Sequence, residues 1–147
     1  MAKPLSRLSI GIIGECMVEL SEAENGLLRR SFAGDVFNTL WYVESALPSG
    51  WSTRFLSAVG SDHLSDRMLG FIENANIDTS LVRRIPERRP GLYMIHLDEG
   101  ERSFSYWRDR SAARLLASDR AHLERAIGGA SVVDCSGITL AIRSDED

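Results

Sequence analysis

The chain has 147 residues and a formal net charge of −4, with 44% hydrophobic and 26% charged residues. This balance is typical of one globular domain, and the mildly acidic charge argues against a nucleic-acid-binding protein. No apolar run reaches the roughly 20 residues that span a bilayer, and no secretory signal is evident, so we expect a cytoplasmic protein without membrane contact. The two cysteines and three histidines show no metal-ligand spacing, and we expect no metal site among them.

The first half of the chain predicts alternating strands and helices. Its expected elements are a buried strand at 8–14, strands at 17–21 and 27–32 that form a hairpin, a helix at 35–47, a strand at 53–59 and a helix at about 64–75. Asp35 is a suitable N-cap or first-turn acid for the first helix. Ser61 or Asp62 is a suitable cap for the second helix.

In the second half, the period changes from helical to alternating. The expected elements are strands at 80–85, 91–97 and 102–107, a short helix at 112–116, a helix at 119–127 and a final buried strand at 131–135. Residues 98–101 join two of these strands as a hairpin. Strand–helix–strand units predict an α/β fold, with a mostly parallel sheet flanked by helices. The alternating segments do not fit that sheet, so we place them in a second, smaller sheet that forms a lid or a dimer face.

One candidate site is the segment Phe32–Leu40, in which a glycine precedes a helix. Gly34 at the helix mouth allows close approach of a ligand, and the first amides of the helix can donate to ligand oxygens. Asn38 is polar and lies one turn into an otherwise apolar helix, so its side chain can face a ligand. The spacing alone favours the alternative, a capped helix with a solvent-facing Asn38, because Gly-Asp-x-x-Asn is a weak pattern.

A second candidate site lies on the alternating segments. Tyr106 and Arg108 are two residues apart and therefore share one face of a strand. A guanidinium forms a planar fork suited to a carboxylate, and tyrosine adds a hydroxyl, so the pair could hold a small acidic substrate. The alternative is a surface strand with a packed tyrosine and a solvated arginine, which is the more common situation.

Two further acids, Glu15 and Asp62, follow predicted strands by one or two residues. Ligands of open α/β sheets bind at the carboxyl ends of the strands, so either acid could accept a hydrogen bond from a sugar hydroxyl. Asp62 is more simply explained as a helix cap. The sequence contains no P-loop, dinucleotide-binding glycine fingerprint or nucleophile elbow, and so gives those classes of site no support.

Ordered motifs along nearly the whole chain resemble the carbohydrate kinases of the ribokinase (PfkB) family. Ala33–Thr39 resembles the first family signature, a Gly-Gly-Asp-x-x-Asn loop that enters a helix, with Ala33 in place of the first glycine. The other matching segments are 14–20, 55–62, 91–93, 106–108, 111–113 and 136–141. The last four of these are similar to the subgroup of the family that acts on 2-keto-3-deoxygluconate.

The resemblance implies a ribokinase-like fold and a specific chemistry. Family members transfer the γ-phosphoryl group of ATP, with Mg²⁺, to a sugar hydroxyl, so ATP and Mg²⁺ are the expected cofactors. The acceptor would be the 6-hydroxyl of 2-keto-3-deoxygluconate, with Arg108 beside its carboxylate. The residues that the resemblance places at this sugar acid are Gly34, Asn38, Tyr93, Tyr106 and Arg108, with Glu15 and Asp35 as further possibilities. Lid strands in this family often build a dimer face, so a homodimer through the lid is also expected.

The chain departs from the family pattern toward its C-terminal end. The second family signature is a Gly-Ala-Gly-Asp loop that supplies the anion hole for the γ-phosphate and the aspartate that takes the hydroxyl proton. Residues 1–147 contain no such loop. We therefore expect the N-terminal part of a single, truncated ribokinase-like domain, with lid segments at about 15–33 and 80–108. The nucleotide site and the catalytic base would then be missing, and the isolated chain would be inactive.

Three functions stay open on the sequence. The first is a sugar kinase by descent, supported by motifs that cover most of the chain. The second is a non-catalytic fragment that binds sugar acids, supported by the retained sugar-side residues. The third is a nonfunctional truncated gene product. An open strand edge after 131–135 also predicts poor solubility or association, unless a second polypeptide covers it.

Overall fold

The computed structural model describes residues 8–142. Within this range the strands are β1 (Leu8–Ile13), β2 (Met17–Glu22), β3 (Leu28–Ala33), β4 (Trp51–Leu56), β5 (Ala58–Val59), β6 (Arg83–Arg84), β7 (Leu92–Asp98), β8 (Glu101–Trp107) and β9 (Val132–Cys135). The α-helices are α1 (Asp35–Ala46), α2 (His63–Glu73), α3 (Arg120–Gly128) and α4 (Gly137–Ala141), and short 3-10 turns cover Glu24–Gly26 and Ala112–Leu115. No helix in this range is long and apolar enough to cross a bilayer.

The core sheet is parallel and has β1 at its centre. Its strand order is β4-β1-β9, and Ile12 of β1 lies between Phe55 of β4 and Asp134 of β9. Helix α1 packs on this sheet because its apolar stripe, which includes Val36 and Leu40, is almost completely buried. The structure confirms the expected α/β architecture, since parallel strands require helical crossovers that cover the sheet.

The second sheet, which we call the lid, has the strand order β3-β2-β7-β8. Strands β2 and β3 form one antiparallel hairpin, β7 and β8 form another, and β2 and β7 join the two in parallel. The β7–β8 turn contains Glu99 and Gly100, both with positive φ, which is typical of a two-residue hairpin connection. One face of the lid places Val18 and Phe32 in the main core. The opposite face is therefore available for a site.

The helix boundaries follow the side chains expected to cap them. Asp62 accepts hydrogen bonds from the backbone N–H groups of Leu64 and Ser65, at 3.0 and 3.2 Å, and so caps α2. Asp119 caps α3 through the N–H of His122 at 2.9 Å. In α1 the N-cap residue is Gly34, so Asp35 is the first-turn acid of that helix and not its cap.

Some expectations about the strands are wrong. The strand at 80–85 is reduced to β6, which pairs with β5 and does not join the lid. This difference arises because Leu81 and Ile85 pack into a separate small apolar cluster beside β5. The strand at 53–59 is divided at Ser57 into β4 and β5. Within the described residues the lid has four strands and the core sheet three, so the lid is not the smaller sheet.

The expected burial of the last strand is also wrong. Val132 and Val133 of β9 are 48% and 38% exposed, although their sequence is typical of a buried strand. A run of branched residues indicates a strand that can be covered on both faces. Whether it is covered depends on neighbouring elements, and the described residues place none over these two side chains.

Candidate functional site

A cavity of about 160 Å³ lies where the lid meets the N-terminus of α1. Its lining residues are Met17, Gly34, Asp35, Asn38, Tyr93, Phe104, Tyr106, Arg108 and Ile138. A wider depression of about 410 Å³ is formed by residues 87–90 and 106–111 and shares only Tyr106 and Arg108 with this cavity. We take the smaller cavity as the candidate site because residues from both candidate segments of the sequence meet there.

The N-terminus of α1 forms one wall of the cavity. A Cβ atom at Gly34 would lie 2.5 Å from the carbonyl oxygen of Glu15, so only glycine fits at this contact. The close approach brings the start of the helix against the β1–β2 connection. The backbone N–H of Asn38 donates to the carbonyl oxygen of Gly34 at 2.8 Å, and the exposed Asn38 side chain faces the cavity with Asp35.

A row of side chains across three lid strands supports the opposite wall, and two of its members, Tyr93 and Tyr106, line the cavity. Glu19 of β2 is paired in register with Tyr93 of β7, which is paired with Tyr106 of β8. The Tyr93 hydroxyl donates a short hydrogen bond to Glu19 Oε2, and Ser31 donates to the other carboxylate oxygen at 3.2 Å. Burial of Tyr93 raises the pKa of its hydroxyl far above the usual value, and the hydrogen bond to Glu19 raises it further.

Arg108 lies at the end of this row, one residue beyond β8. Its Nη2 atom is 2.5 Å from Oε2 of Glu15, and the two side chains are only 18% and 3% exposed. Glu15 itself is absent from the cavity wall, whereas Arg108 is part of it. The guanidinium of Arg108 therefore pairs with a buried carboxylate, while the same residue forms part of the cavity wall.

The structure brings together most of the residues that the sequence singled out. Gly34, Asp35, Asn38, Tyr93, Tyr106 and Arg108 all line the cavity. Glu15 lies behind Arg108, and Asp62 lies away from the cavity and caps α2. Phe104 was not predicted, although its position two residues before Tyr106 on β8 places it on the same face. Ile138 of α4 was also missed, because no periodicity of the sequence connects it to the lid.

The acidic side chains of the described residues test whether the cavity could hold Mg²⁺ together with a nucleotide. Within residues 8–142, no group of three or more His, Cys, Asp or Glu side chains is arranged to hold a metal ion. Among the described residues, Asp35 is the only one with a carboxylate that lines the cavity. Because this donor set does not fit Mg²⁺ with a triphosphate, which needs several oxygen ligands around the metal, we derive no catalytic step through them.

Comparison with known proteins agrees with the motifs. Residues 8–146 match the family model described as pfkB family carbohydrate kinase. The chain is 40% identical over 139 residues to a 2-dehydro-3-deoxygluconokinase of Escherichia coli (strain K12), covering 92% of this chain and 45% of that protein. It is 37% identical over 138 residues to a protein of the same name from Dickeya dadantii (strain 3937), with 91% and 44% covered. The chain thus spans about 45% of the length of the curated relatives it matches.

Solved structures share the fold at lower sequence identity. The 2-dehydro-3-deoxygluconokinase of Thermotoga maritima superposes with a TM-score of 0.79 at 20% identity, covering 94% of this chain and 44% of that one. A fructokinase with bound ATP from Xylella fastidiosa superposes with a TM-score of 0.75 at 21% identity, covering 89% and 39%. The ribokinase-like fold expected from the motifs is confirmed by these neighbours. Because the family match extends over nearly the whole sequence, the chain belongs to the pfkB family of carbohydrate kinases.

Proposed function

We propose that this chain forms the sugar-binding part of a carbohydrate kinase whose acceptor is 2-keto-3-deoxygluconate, also called 2-dehydro-3-deoxygluconate. The observation that supports the proposal is the meeting of Arg108, Tyr106 and Asn38 in one cavity. A guanidinium, a phenol and a carboxamide are the groups that recognise a carboxylate and neighbouring hydroxyls. The names of the curated relatives favour the same acceptor.

The size of the cavity favours a small ligand. Its volume of about 160 Å³ is below the roughly 300–1,000 Å³ of pockets that hold drug-sized molecules. A six-carbon sugar acid is smaller than such molecules, and its carboxylate would lie beside Arg108. The other end of the sugar would then point toward the N-terminus of α1, which the absence of a Cβ at Gly34 allows to lie against the β1–β2 connection.

The reaction that we propose for the complete kinase is transfer of the γ-phosphoryl group of ATP to the 6-hydroxyl of the sugar acid. Phosphoryl transfer depends on positioning and on stabilisation of the developing charge. The cavity supports the positioning of the acceptor. The Gly-Ala-Gly-Asp motif, to which the resemblance assigns the charge-stabilising loop and the base, does not occur in the 147 residues, so we propose that this chain alone binds the acceptor without turning it over.

Calorimetric titration with 2-keto-3-deoxygluconate tests the binding part of the proposal. We expect saturable binding by the wild-type chain and at least about tenfold weaker binding by Arg108→Ala, since charged hydrogen bonds contribute about 1.5–3 kcal/mol. Arg102→Ala is the matched control, because Arg102 is exposed on β8, the strand that Arg108 follows, and lies outside the cavity. Absence of saturable binding by the wild type, or equal loss in both variants, would contradict the proposal.

A coupled ADP-release assay with ATP, Mg²⁺ and 2-keto-3-deoxygluconate tests the catalytic part. We expect no turnover from a chain whose fold is verified by circular dichroism. Binding without turnover would favour a sugar-acid-binding role for this polypeptide. Turnover that is lost in Arg108→Ala would show that an acid of this chain acts as the base, with Asp35 and Glu15 as the first residues to replace.

We also propose that two copies of the chain associate through the lid. The face of the lid that carries Tyr93 also exposes Leu97 and Phe104, at 58% and 47%. Exposed apolar side chains close together are typical of association surfaces. Sedimentation velocity should show a dimer that Leu97→Glu weakens. A monomeric wild type at concentrations of tens of micromolar would contradict this part of the proposal.

A further inference from the structure

The Glu15–Arg108 pair connects the two sheets of the molecule. Glu15 lies between β1 of the core sheet and β2 of the lid, whereas Arg108 follows the last lid strand, 93 residues further along the chain. The carboxylate is 3% exposed, and its Oε2 atom is 2.5 Å from Nη2 of Arg108. This ion pair is the most buried of those formed within residues 8–142.

The surroundings of Glu15 leave Arg108 as its counterion. Among the described residues, Glu15 Oε1 and Arg108 Nε are both buried and have no hydrogen-bond partner. A buried carboxylate is costly unless an opposite charge compensates it. The Glu15 carboxylate therefore restrains the Arg108 guanidinium, and the guanidinium in turn compensates the negative charge of Glu15.

Gly91 confines the pair from one side. A Cβ atom at this position would lie 2.6 Å from Glu15 Oε1 and 3.2 Å from Arg108 Cβ. The backbone at Gly91 is itself fixed, because its carbonyl oxygen accepts a hydrogen bond from Val18 N–H at 2.8 Å. The Glu15 carboxylate and the base of the Arg108 side chain thus pack against the backbone just before β7, which is hydrogen-bonded to β2.

We propose that Glu15 is a positioning and specificity-determining residue, which contacts no substrate and fixes the Arg108 guanidinium in the orientation that a particular sugar acid requires. The inference rests on the proposed function of the cavity. A guanidinium has five N–H donors, and the hydrogen bond to Glu15 engages Nη2. A guanidinium held in one orientation can pair with a ligand carboxylate in only a few positions. A mobile arginine side chain can adjust to a carboxylate in many positions.

The charge of Glu15 and its positioning role have separable effects on binding. Removing the negative charge strengthens the attraction of Arg108 for any carboxylate, and this effect is the same for two ligands with equal charge. Loss of the fixed orientation of the Arg108 guanidinium weakens the binding of a ligand whose carboxylate matches that orientation more than the binding of a ligand that does not match it. The ratio of dissociation constants for two sugar acids therefore reports positioning alone.

The experiment compares 2-keto-3-deoxygluconate with gluconate, which has the same carboxylate but hydroxyl groups in place of the keto group at C2 and the hydrogen at C3. We expect the wild type to prefer 2-keto-3-deoxygluconate, and Glu15→Gln to reduce this preference by about three- to tenfold, the effect of immobilising one long side chain. Gly91→Ala should reduce it similarly without any change of charge. Glu124→Gln is the matched control, because Glu124 pairs with Arg120 on an exposed helix surface.

A second measurement needs no ligand. Nitrogen-detected NMR of the arginine side chains should show restricted rotation of the Arg108 guanidinium in the wild type, with the signal assigned through Arg108→Lys. We expect this restriction to be lost in Glu15→Gln and unchanged in Glu124→Gln. A merely structural contribution of Glu15 would lower stability without changing the preference between two sugar acids.

The outcomes distinguish this inference from the proposed function. If the wild type prefers 2-keto-3-deoxygluconate and Glu15→Gln keeps the same preference, the inference is overturned and the proposed function stands. If the wild type binds neither sugar acid, the proposed function and the specificity role of Glu15 both fail. An Arg108 signal that rotates freely in the wild type would overturn the positioning role whatever the ligands do. Should Glu15→Gln fail to fold, Gly91→Ala provides the same comparison.

Discussion

Tyr93 and Tyr106 face each other on neighbouring lid strands, with ring centroids 5.9 Å apart, yet their hydroxyl groups have different surroundings. The Tyr93 hydroxyl donates to Glu19, and burial raises the pKa of Tyr93, so the hydroxyl keeps its proton. Among the described residues, the Tyr106 hydroxyl has no protein partner, and its side chain is 52% exposed at the cavity. The tyrosine pair thus divides into one that supports the wall and one that is free to contact a ligand.

This division predicts different effects of removing each hydroxyl. Tyr106→Phe should weaken binding of 2-keto-3-deoxygluconate by about three- to tenfold with little loss of stability, because one hydrogen bond contributes about 0.5–1.5 kcal/mol. Tyr93→Phe should mainly lower the free energy of unfolding, by about 1–3 kcal/mol, because it leaves a Glu19 oxygen without its partner. Titration calorimetry and urea unfolding check both variants, and the reverse order of effects would contradict the assignment.

The buried ion pair predicts strong non-additivity. Arg108→Ala should lower the free energy of unfolding by about 3–5 kcal/mol, because Glu15 then keeps a buried charge without a counterion. The double variant Glu15→Gln with Arg108→Met should be less destabilised than the sum of its single variants, since neither charge remains. Urea unfolding of the wild type, Glu15→Gln, Arg108→Met and the double variant gives the coupling free energy between the two side chains. Additive losses would show that the two side chains do not depend on each other.

Two glycine substitutions should have opposite signs. Gly34→Ala places a Cβ atom 2.5 Å from the carbonyl oxygen of Glu15, so α1 must move away from the β1–β2 connection. We expect a loss of about 1–3 kcal/mol in stability, together with weaker sugar-acid binding. Gly70→Ala is the control, because Gly70 is inside α2 and an added Cβ meets no atom within 4 Å. It should stabilise the chain by about 0.5–1 kcal/mol in thermal unfolding.

The Asp62 cap of α2 should make the free energy of unfolding depend on pH. Burial by itself raises the pKa of Asp62, but the hydrogen bonds from the Ser65 side chain and from the N–H groups of Ser65 and Leu64 outweigh it, so the pKa is lowered. A lowered pKa in the folded state contributes stability above the unfolded pKa of about 3.9, and this contribution is lost as the pH falls through the folded pKa.

The variant Asp62→Asn retains an oxygen acceptor at the cap but cannot titrate. The wild type should therefore exceed Asp62→Asn in stability at about pH 6, and the difference should shrink as the pH approaches about 3. Unfolding by urea along this pH series measures the difference directly. Ser118→Ala is a suitable control, because Ser118 is close to α3 and does not contact Asp62. A difference that grows toward low pH would contradict the assignment.

Most secondary structure and the family of the chain could be predicted because the relevant signals are local. Hydrophobic period separates helices from lid strands, caps such as Asp62 fix where a helix begins, and the Ala33–Thr39 motif indicates the family. The strand at 80–85 was overestimated for the same reason: its alternation is real, but Leu81 and Ile85 are used for packing beside β5, and only β6 forms strand pairs.

By itself, the sequence determined the family and the order of most elements, because these depend on local pattern and motif, and it singled out six of the residues that line the cavity but not Met17, Phe104 or Ile138. Only the tertiary structure decided what each polar side chain contacts. Glu15 was a possible sugar ligand in the sequence, yet the fold buries it against Arg108, 93 residues away. Likewise, the register of β2, β7 and β8 places Tyr93 between Glu19 and Tyr106, and within residues 8–142 only the Tyr93 hydroxyl of the two tyrosines finds a protein partner. Contacts between distant segments depend on how two sheets pack, and no local pattern encodes that packing.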